Sequence, residues 1–344
     1  LTLDVGDGDA TRVDDIVVVG RRRVVVRTPE VATNVSQAQI NNLPQINRNF
    51  LNFAALAPGL RLSQDPQERT ISAGGAPAQQ INVFIDGQNQ KSTIIDGGVA
   101  GQDDSRGNPF PQAGVQEFRI ITQNFKAEYE QAGSAIITAV TRSGTNELSG
   151  DVFVTYQDEQ WIAQDTFAER RGDPKAPLEN IQYGFSVGGP IIQDALHFFL
   201  AYERKEETRS STVFSNDATY GPLFAADFGT FAAPFEQDLL FGKLSWQINP
   251  DQRLELSGTF RDEADIRDFG GQTSYDRAQQ INTDVRSVVL KHQWSGAGFF
   301  NEATVDYFSY TYNPTALNFS DYGREFIVFR DDNAAPGFQY NVFN

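Results

Sequence analysis

From Ser149 onward, apolar and polar residues alternate with a period of two, and this pattern limits the fold more than any other feature of the chain. Successive side chains of a strand point to opposite faces, so alternation marks a sheet lying between two unlike environments. In IQYGFSVG, Ile181, Tyr183, Phe185 and Val187 share one face, with Gln182, Gly184, Ser186 and Gly188 on the other. In RLELSGTFR, Leu254, Leu256 and Phe260 oppose Arg253, Glu255, Ser257, Thr259 and Arg261. In NEATVDY, Ala303, Val305 and Tyr307 oppose Glu302, Thr304 and Asp306. Less regular strands fit 150–158, 196–205, 239–248, 284–294 and 323–330. About eight strands result, each near the roughly 9–11 residues that cross a bilayer at a tilt.

The connections separate a membrane barrel from a soluble β-sandwich with insertions. Residues 159–180, 206–238 and 263–283 form long links, and Pro190–Ala195, Asn249–Gln252 and Ser295–Gly298 form short ones. Long loops on one side and tight turns on the other characterise outer-membrane barrels. A polar second face suits a lumen. Aromatics gather near strand ends (Tyr156, Trp161, Phe198, Phe199, Tyr202, Trp246, Trp294, Tyr307, Phe308, Tyr310), where interface girdles sit; sugar-binding platforms are the alternative use. The barrel is the better fit. Eight strands enclose little beyond their own side chains, so the chain reads as the front part of a larger barrel.

The preceding half has a different grammar. Residues 1–149 carry 13 basic and 16 acidic side chains, whereas residues 150–344 carry 15 and 29, so most of the net charge of −17 belongs to the strand-rich half. The polar start LTLDVGDGDATR reads as a disordered leader. Helices are expected at Val35–Leu43, stopped by Pro44, and at Asn49–Ala57, closed by Pro58-Gly59. Ile81–Gly87, Glu117–Thr122 and Ser134–Thr141 read as strands. The chain has no cysteine, which excludes disulfide scaffolds, thiolate metal sites and cysteine nucleophiles. It has no methionine either, which reads as a processed or truncated polypeptide. The acidic balance speaks against nucleic acid as a partner. No stretch approaches the roughly 20 apolar residues of a spanning helix. Only two histidines are present, His197 and His292, and no P-loop, dinucleotide fingerprint or serine elbow occurs, so neither an enzyme nor a bound cofactor is expected.

Several segments, in order, resemble the TonB-dependent outer-membrane receptors, and within them the Oar-like branch. VDDIVVVG (Val13–Gly20) looks like a TonB box; INNLPQINRNFLNFAALAPGL (Ile40–Leu60) looks like the start of a plug domain. INVFIDGQ (Ile81–Gln88) is similar to the central plug strand. Residues 115–156, with NF-x-AEY and VTRSGTNE, resemble the last plug strands and the barrel entry; YGFSVGGPIIQDALHFFLAYE (Tyr183–Glu203) resembles the next two barrel strands. The match covers about 13–205. The chain departs from the pattern at ISAGG (Ile71–Gly75), at Glu130 and at Ser134-Ala135. The resemblance implies a mixed α/β plug followed by antiparallel transmembrane β-strands of a roughly 22-stranded barrel. The divisions are 1–30 for the leader with its TonB box, 31–148 for the plug, and 149–344 for the N-terminal part of the barrel.

The same resemblance implies energised uptake across the bacterial outer membrane, with TonB, powered by ExbB and ExbD, as partner. Outer-membrane lipids and an extracellular substrate complete the partners. Peptide or protein-derived cargo is favoured, and a surface structural, adhesion or secretion-linked barrel is the alternative. For TonB binding the residues are Asp14, Asp15, Ile16, Val17, Val18 and Val19: an unpaired β-prone segment can add to a partner's sheet edge, and the acidic pair can steer a basic partner. The competing reading is an ordinary hairpin with Val24–Val26 around Arg21–Arg23. At the plug apex the candidates for substrate are Lys91, Asp103, Asp104 and Arg106, with a solvated loop as the alternative. The run Asp262, Glu263, Asp265, Asp268 has oxygen ligands for calcium but not the EF-hand spacing, so a solvated loop is preferred and no metal is assigned.

Overall fold

The computed structural model describes residues 30–45, 47–63, 70–92, 99–102, 105–126, 129–164, 166–171, 175, 177–215, 218–317, 326–331 and 338–343. The candidate TonB box and the leader, like Asp103 and Asp104, lie outside the described residues.

Among the described residues of the first half there are seven strands: β1 (Val31–Val35), β2 (Leu60–Leu62), β3 (Ile71–Ala73), β4 (Ile81–Ile85), β5 (Gln88–Asn89), β6 (Val115–Gln123) and β7 (Ala135–Thr141). Five of them form one sheet in the order β1-β6-β7-β4-β5, with β4 and β7 parallel; β2 and β3 pair separately. All five residues of β4 are buried, which accounts for its unbroken apolar reading. The expected first helix is α1 (Gln37–Asn42), started by a capping box in which Ser36 N donates to Gln39 Oε1 at 2.9 Å. The expected second helix is a 3₁₀ turn, Phe50–Leu56, capped by Asn49 and left through Gly59 at φ +84°. β1 escaped the sequence reading because VATNV is half polar; it holds its place as an edge strand on β6.

The second half is a continuous antiparallel sheet of seven strands: β8 (Ser149–Asp158), β9 (Leu178–Ile192), β10 (Leu196–Val213), β11 (Gly229–Asn249), β12 (Gln252–Arg267), β13 (Gln279–Gly296) and β14 (Phe299–Ala316). Pairing is in sequential order with tight turns at one end and long links at the other, the pattern of an up-and-down barrel wall. The strands outrun their expected ends: β11 has 21 residues and β10 and β13 have 18 each. Residues such as Glu206, Glu207, Glu263 and Asp265, expected in acidic loops, therefore stand in the wall. The expected eighth strand, 323–330, does not join the sheet. Its described part lies in β15 (Phe326–Asp331), which among the described residues pairs with β16 (Phe338–Phe343), since an apolar run reads alike in a wall strand and in a loop hairpin.

The plug core runs without a break into the wall. Phe50, Phe53, Phe110 and Phe118 cluster with Phe199, Ala201 and Phe241. The Phe50 ring lies 5.7 Å from Phe118 and 6.5 Å from Phe110, and Phe110 lies 4.9 Å from Phe241. Phe199 and Tyr310, expected in the aromatic girdle, instead point inward: Phe199 is 4% exposed, and the Tyr310 ring neighbours Gly101.

Candidate plug–barrel interface

The inner face of the wall is built from alternate residues of β10 to β13, and it is charged. Glu203, Lys205, Glu207, Lys243, Arg261, Glu263, Asp265 and Arg267 are all buried. Burying isolated charges is costly, so each is expected to carry a partner, and the plug supplies many of them. The period-2 pattern showed a polar inner face but could not distinguish water from a second protein surface as its neighbour.

Three groups of contacts stand at different heights. Toward the long-loop end, Arg106 is gripped by Asp265, with its Nε 3.3 Å from Oδ2, and lies 3.6 Å from Glu207. Glu207 also meets Lys205 at 3.0 Å and Arg209 at 2.5 Å, and Lys205 Nζ donates to the Arg106 carbonyl at 2.9 Å. Beside it, Ser105 Oγ donates to Glu263 at 2.8 Å, and Arg261 reaches Glu263 at 2.7 Å and the Gly101 carbonyl at 2.5 Å. Gln237 and Asn108 exchange two hydrogen bonds, Asn108 N to Gln237 Oε1 at 2.9 Å and Gln237 Nε2 to Asn108 O at 2.8 Å. Gly107 permits this approach, since a Cβ there would lie 2.3 Å from both Gln237 Nε2 and Glu263 Oε1.

In the middle, Arg48 meets Glu203 at 3.4 Å and covers the Phe153 ring at 3.6 Å, while Ala113 N donates to Glu203 at 3.1 Å. Nearer the tight-turn end, Lys243 joins Asp86 at 3.2 Å, Thr141 at 3.1 Å and Glu255 at 3.7 Å. The link from plug to wall is pinned there. Asn146 receives a bond from Asp194 N at 2.8 Å, donates to Asp194 Oδ1 at 2.5 Å, and lies 2.7 Å from His197 Nε2. Gly144 has no room for a side chain, because a Cβ would fall 2.1 Å from the Phe198 carbonyl oxygen.

Of the residues expected to face substrate, Lys91 Nζ donates to the carbonyls of Gln79 and Ile81 at 2.5 Å each. It lines an open recess of about 450 Å³ with Gln80, Ser92 and Gln131. Arg106 is 3% exposed and faces the wall, so the structure does not bring the two together at one solvent-facing site. The acidic run considered for calcium is split by the strand period: Asp262 points outward to Arg286 at 2.5 Å, and Glu263 and Asp265 point inward. Among the described residues no three acidic or histidine side chains converge on a metal position.

At the long-loop end, aromatic side chains tie separate links together. Phe224 stacks on Tyr340 at 4.1 Å, Phe231 on Tyr275 at 4.7 Å, and Phe269 abuts Tyr275 at 4.9 Å. Burial, with Asp227 nearby, pushes the Tyr340 phenol up to about 12.

Comparison with known proteins agrees with this architecture. The family described as outer membrane beta barrel domain matches residues 140–237, across the plug exit and the first wall strands. The TonB-dependent transporter Oar of Myxococcus xanthus is 25% identical over 233 residues, covering 62% of this chain and 21% of the relative. The probable TonB-dependent siderophore receptor PirA of Acinetobacter baumannii is 23% identical over 274 residues, covering 76% of this chain and 32% of the relative. In fold, the outer membrane transporter YddB of Escherichia coli superposes with a TM-score of 0.61 at 14% identity, over 80% of this chain and 38% of that one. The chain thus spans about a fifth to two fifths of the proteins it matches. In fold and in sequence the chain is thus similar to the plug and barrel wall of TonB-dependent outer-membrane receptors.

Proposed function

We propose that the protein is an energised receptor that binds cargo outside the cell and admits it when TonB displaces the plug. The observation that supports this most is the chemistry of the plug face at 99–110. It meets the wall through charged groups, amides and backbone carbonyls, with large apolar contact concentrated at Phe110. Water can replace such partners once the segment moves, whereas a wholly apolar seal would resist wetting. A permanent structural plug has no need of that composition.

Residues 31–148 act as the plug and 149–344 as wall with its outer links. The segment Asp14–Val19 is the TonB contact, adding as a strand to the partner with Asp14 and Asp15 steering a basic surface; ExbB and ExbD energise that partner. Lys91, Asp103, Asp104 and Arg106 carry the signal of bound cargo, Arg106 being the buried end of that segment. The relatives' names speak for a transporter or receptor in place of an enzyme, and one names siderophores. Neither name supports the peptide-derived cargo expected from the sequence.

Binding of the isolated periplasmic domain of TonB to the intact protein tests the reading. Deleting residues 14–19 is expected to abolish binding, and D14N/D15N to weaken it and flatten its salt dependence. Undiminished binding to the deletion variant would sink the proposal.

A further inference from the structure

The outer face of the wall changes from apolar to polar at a definable residue on each strand, to a charged residue on β8 to β13 and to Ser309 on β14. Moving toward the long links, the last apolar outward residues before the first charge are Tyr202 on β10, Leu240 on β11 and Phe260 on β12, which pair directly with one another; small or apolar outward residues return past that charge, as at Ala264 and Ile266 on β12. The next outward residues are Arg204, Asp238 and Asp262, again direct neighbours. Arg204 is held by Glu206 at 2.6 Å, Glu236 at 2.9 Å and Asp238 at 2.6 Å. Arg286 is held by Asp262 at 2.5 Å and Asp284 at 3.1 Å. Charges on a lipid-facing surface are strongly disfavoured at the bilayer midplane, Arg and Lys most of all, and are tolerated near the interface. These clusters therefore belong outside the hydrocarbon.

The change does not follow the hydrogen-bonded rows. On β8 and β9 the last apolar residues are Tyr156 and Ile181, which pair with each other. Ile181 pairs with Glu206, four residues beyond Tyr202. Phe260 pairs with Arg286, two residues beyond Val288, and Val288 pairs with Tyr307 on β14. Across the six strand steps from β8 to β14 the change thus slips by six residues of register, four between β9 and β10 and two between β12 and β13, an average of one per step. At about 3.3 Å per residue and 4.8 Å per step, that slope corresponds to strands inclined by about 35°. Membrane barrels have strands tilted by about 35–45°. A line that is oblique on the sheet is level in a membrane.

We infer that this oblique line is the outer boundary of the hydrocarbon belt. Acyl chains cover the face from the Trp246 and Trp294 end up to Tyr202, Leu240, Phe260 and Val288, and lipid headgroups meet the Arg204 and Arg286 clusters above. The inference rests on outer-membrane placement and does not depend on TonB-driven uptake. It separates residues that share a row: Tyr183 pairs with Arg204, whose row continues through Asp238, Asp262 and Asp284 to Thr311. Over the five steps from β9 to β14, the depth difference is about 14 Å at this tilt.

The chain contains no cysteine, so single introduced cysteines label it uniquely. Y183C and T311C, each carrying a nitroxide, are placed in the intact protein reconstituted in phosphatidylcholine vesicles. Power-saturation EPR then compares relaxation by oxygen with relaxation by a water-soluble nickel chelate. We expect oxygen to dominate at position 183 and the chelate at 311, with at least a tenfold difference in their ratio. D284C, matching T311C, guards against a local defect. Equal ratios along the row overturn the oblique boundary. Chelate dominance at all three positions overturns membrane placement itself, while leaving TonB binding to be judged separately.

Discussion

Replacing Arg106 by alanine tests the polar clamp between plug and wall. Its guanidinium and the carboxylates of Asp265 and Glu207 are each at most 5% exposed, and Nη2 also donates to the Ala233 carbonyl at 3.2 Å. Removing one partner of a buried ion pair generally costs about 3–5 kcal/mol, because the remaining charge is stranded. Here the stranding is partial. Glu207 retains Lys205 and Arg209, and Asp265 retains Arg267 at 4.0 Å. The expected cost is therefore at the low end, about 3 kcal/mol, or about 100-fold in the equilibrium for opening this segment. Hydrogen exchange of the amides in 99–110, measured on the intact protein in a bilayer, reads that equilibrium directly. R106A should speed exchange by about 100-fold. R106K keeps the charge but loses the planar fork, and about tenfold is expected. In a cycle with D265A, the double variant should fall short of additivity by at least about 1 kcal/mol. Exchange in R106A within threefold of the parent would refute the clamp.

Other elements give simpler expectations. F241A removes the wall side of the aromatic contact with Phe110 and should lower stability by about 3–5 kcal/mol, read as a fall in unfolding midpoint of the reconstituted protein. G144A places a Cβ against the Phe198 carbonyl oxygen and should loosen the pinned link; faster cleavage by trypsin after Arg142 would report it, and unchanged cleavage would contradict it. F224A removes the ring stacked on Tyr340, and limited proteolysis within 218–228 should accelerate several-fold while exchange in 99–110 stays as in the parent.

The sequence carried the wall well and its partners poorly. Strands such as Ile181–Gly188 and Arg253–Arg261 were legible because one face meets an apolar surrounding and the other does not. Where the outer face also turns polar, as at Arg204, Asp238 and Asp262, alternation loses contrast and strands are misread as acidic loops. The same blindness hid the interface. Glu207 and Asp265 look like solvated carboxylates until the plug brings Arg106 to them from more than a hundred residues away in sequence. In sequence Arg106 reads as a polar apex residue, and only its three-dimensional neighbours turn it toward the wall. β15 shows the converse: FIVFRD has the pattern of a wall strand and lies in a hairpin.

The central claim is that the plug rests clamped against the wall and is displaced only when TonB engages the leader. A single cysteine at Asn108, whose side chain is fully buried beside Gln237, reports on that displacement in cells. With growth medium supplying cargo, the account predicts that N108C reacts with a small maleimide when the proton gradient is intact. It also predicts that N108C is protected when the gradient is collapsed or residues 14–19 are deleted. Equal labelling in all three conditions would contradict it.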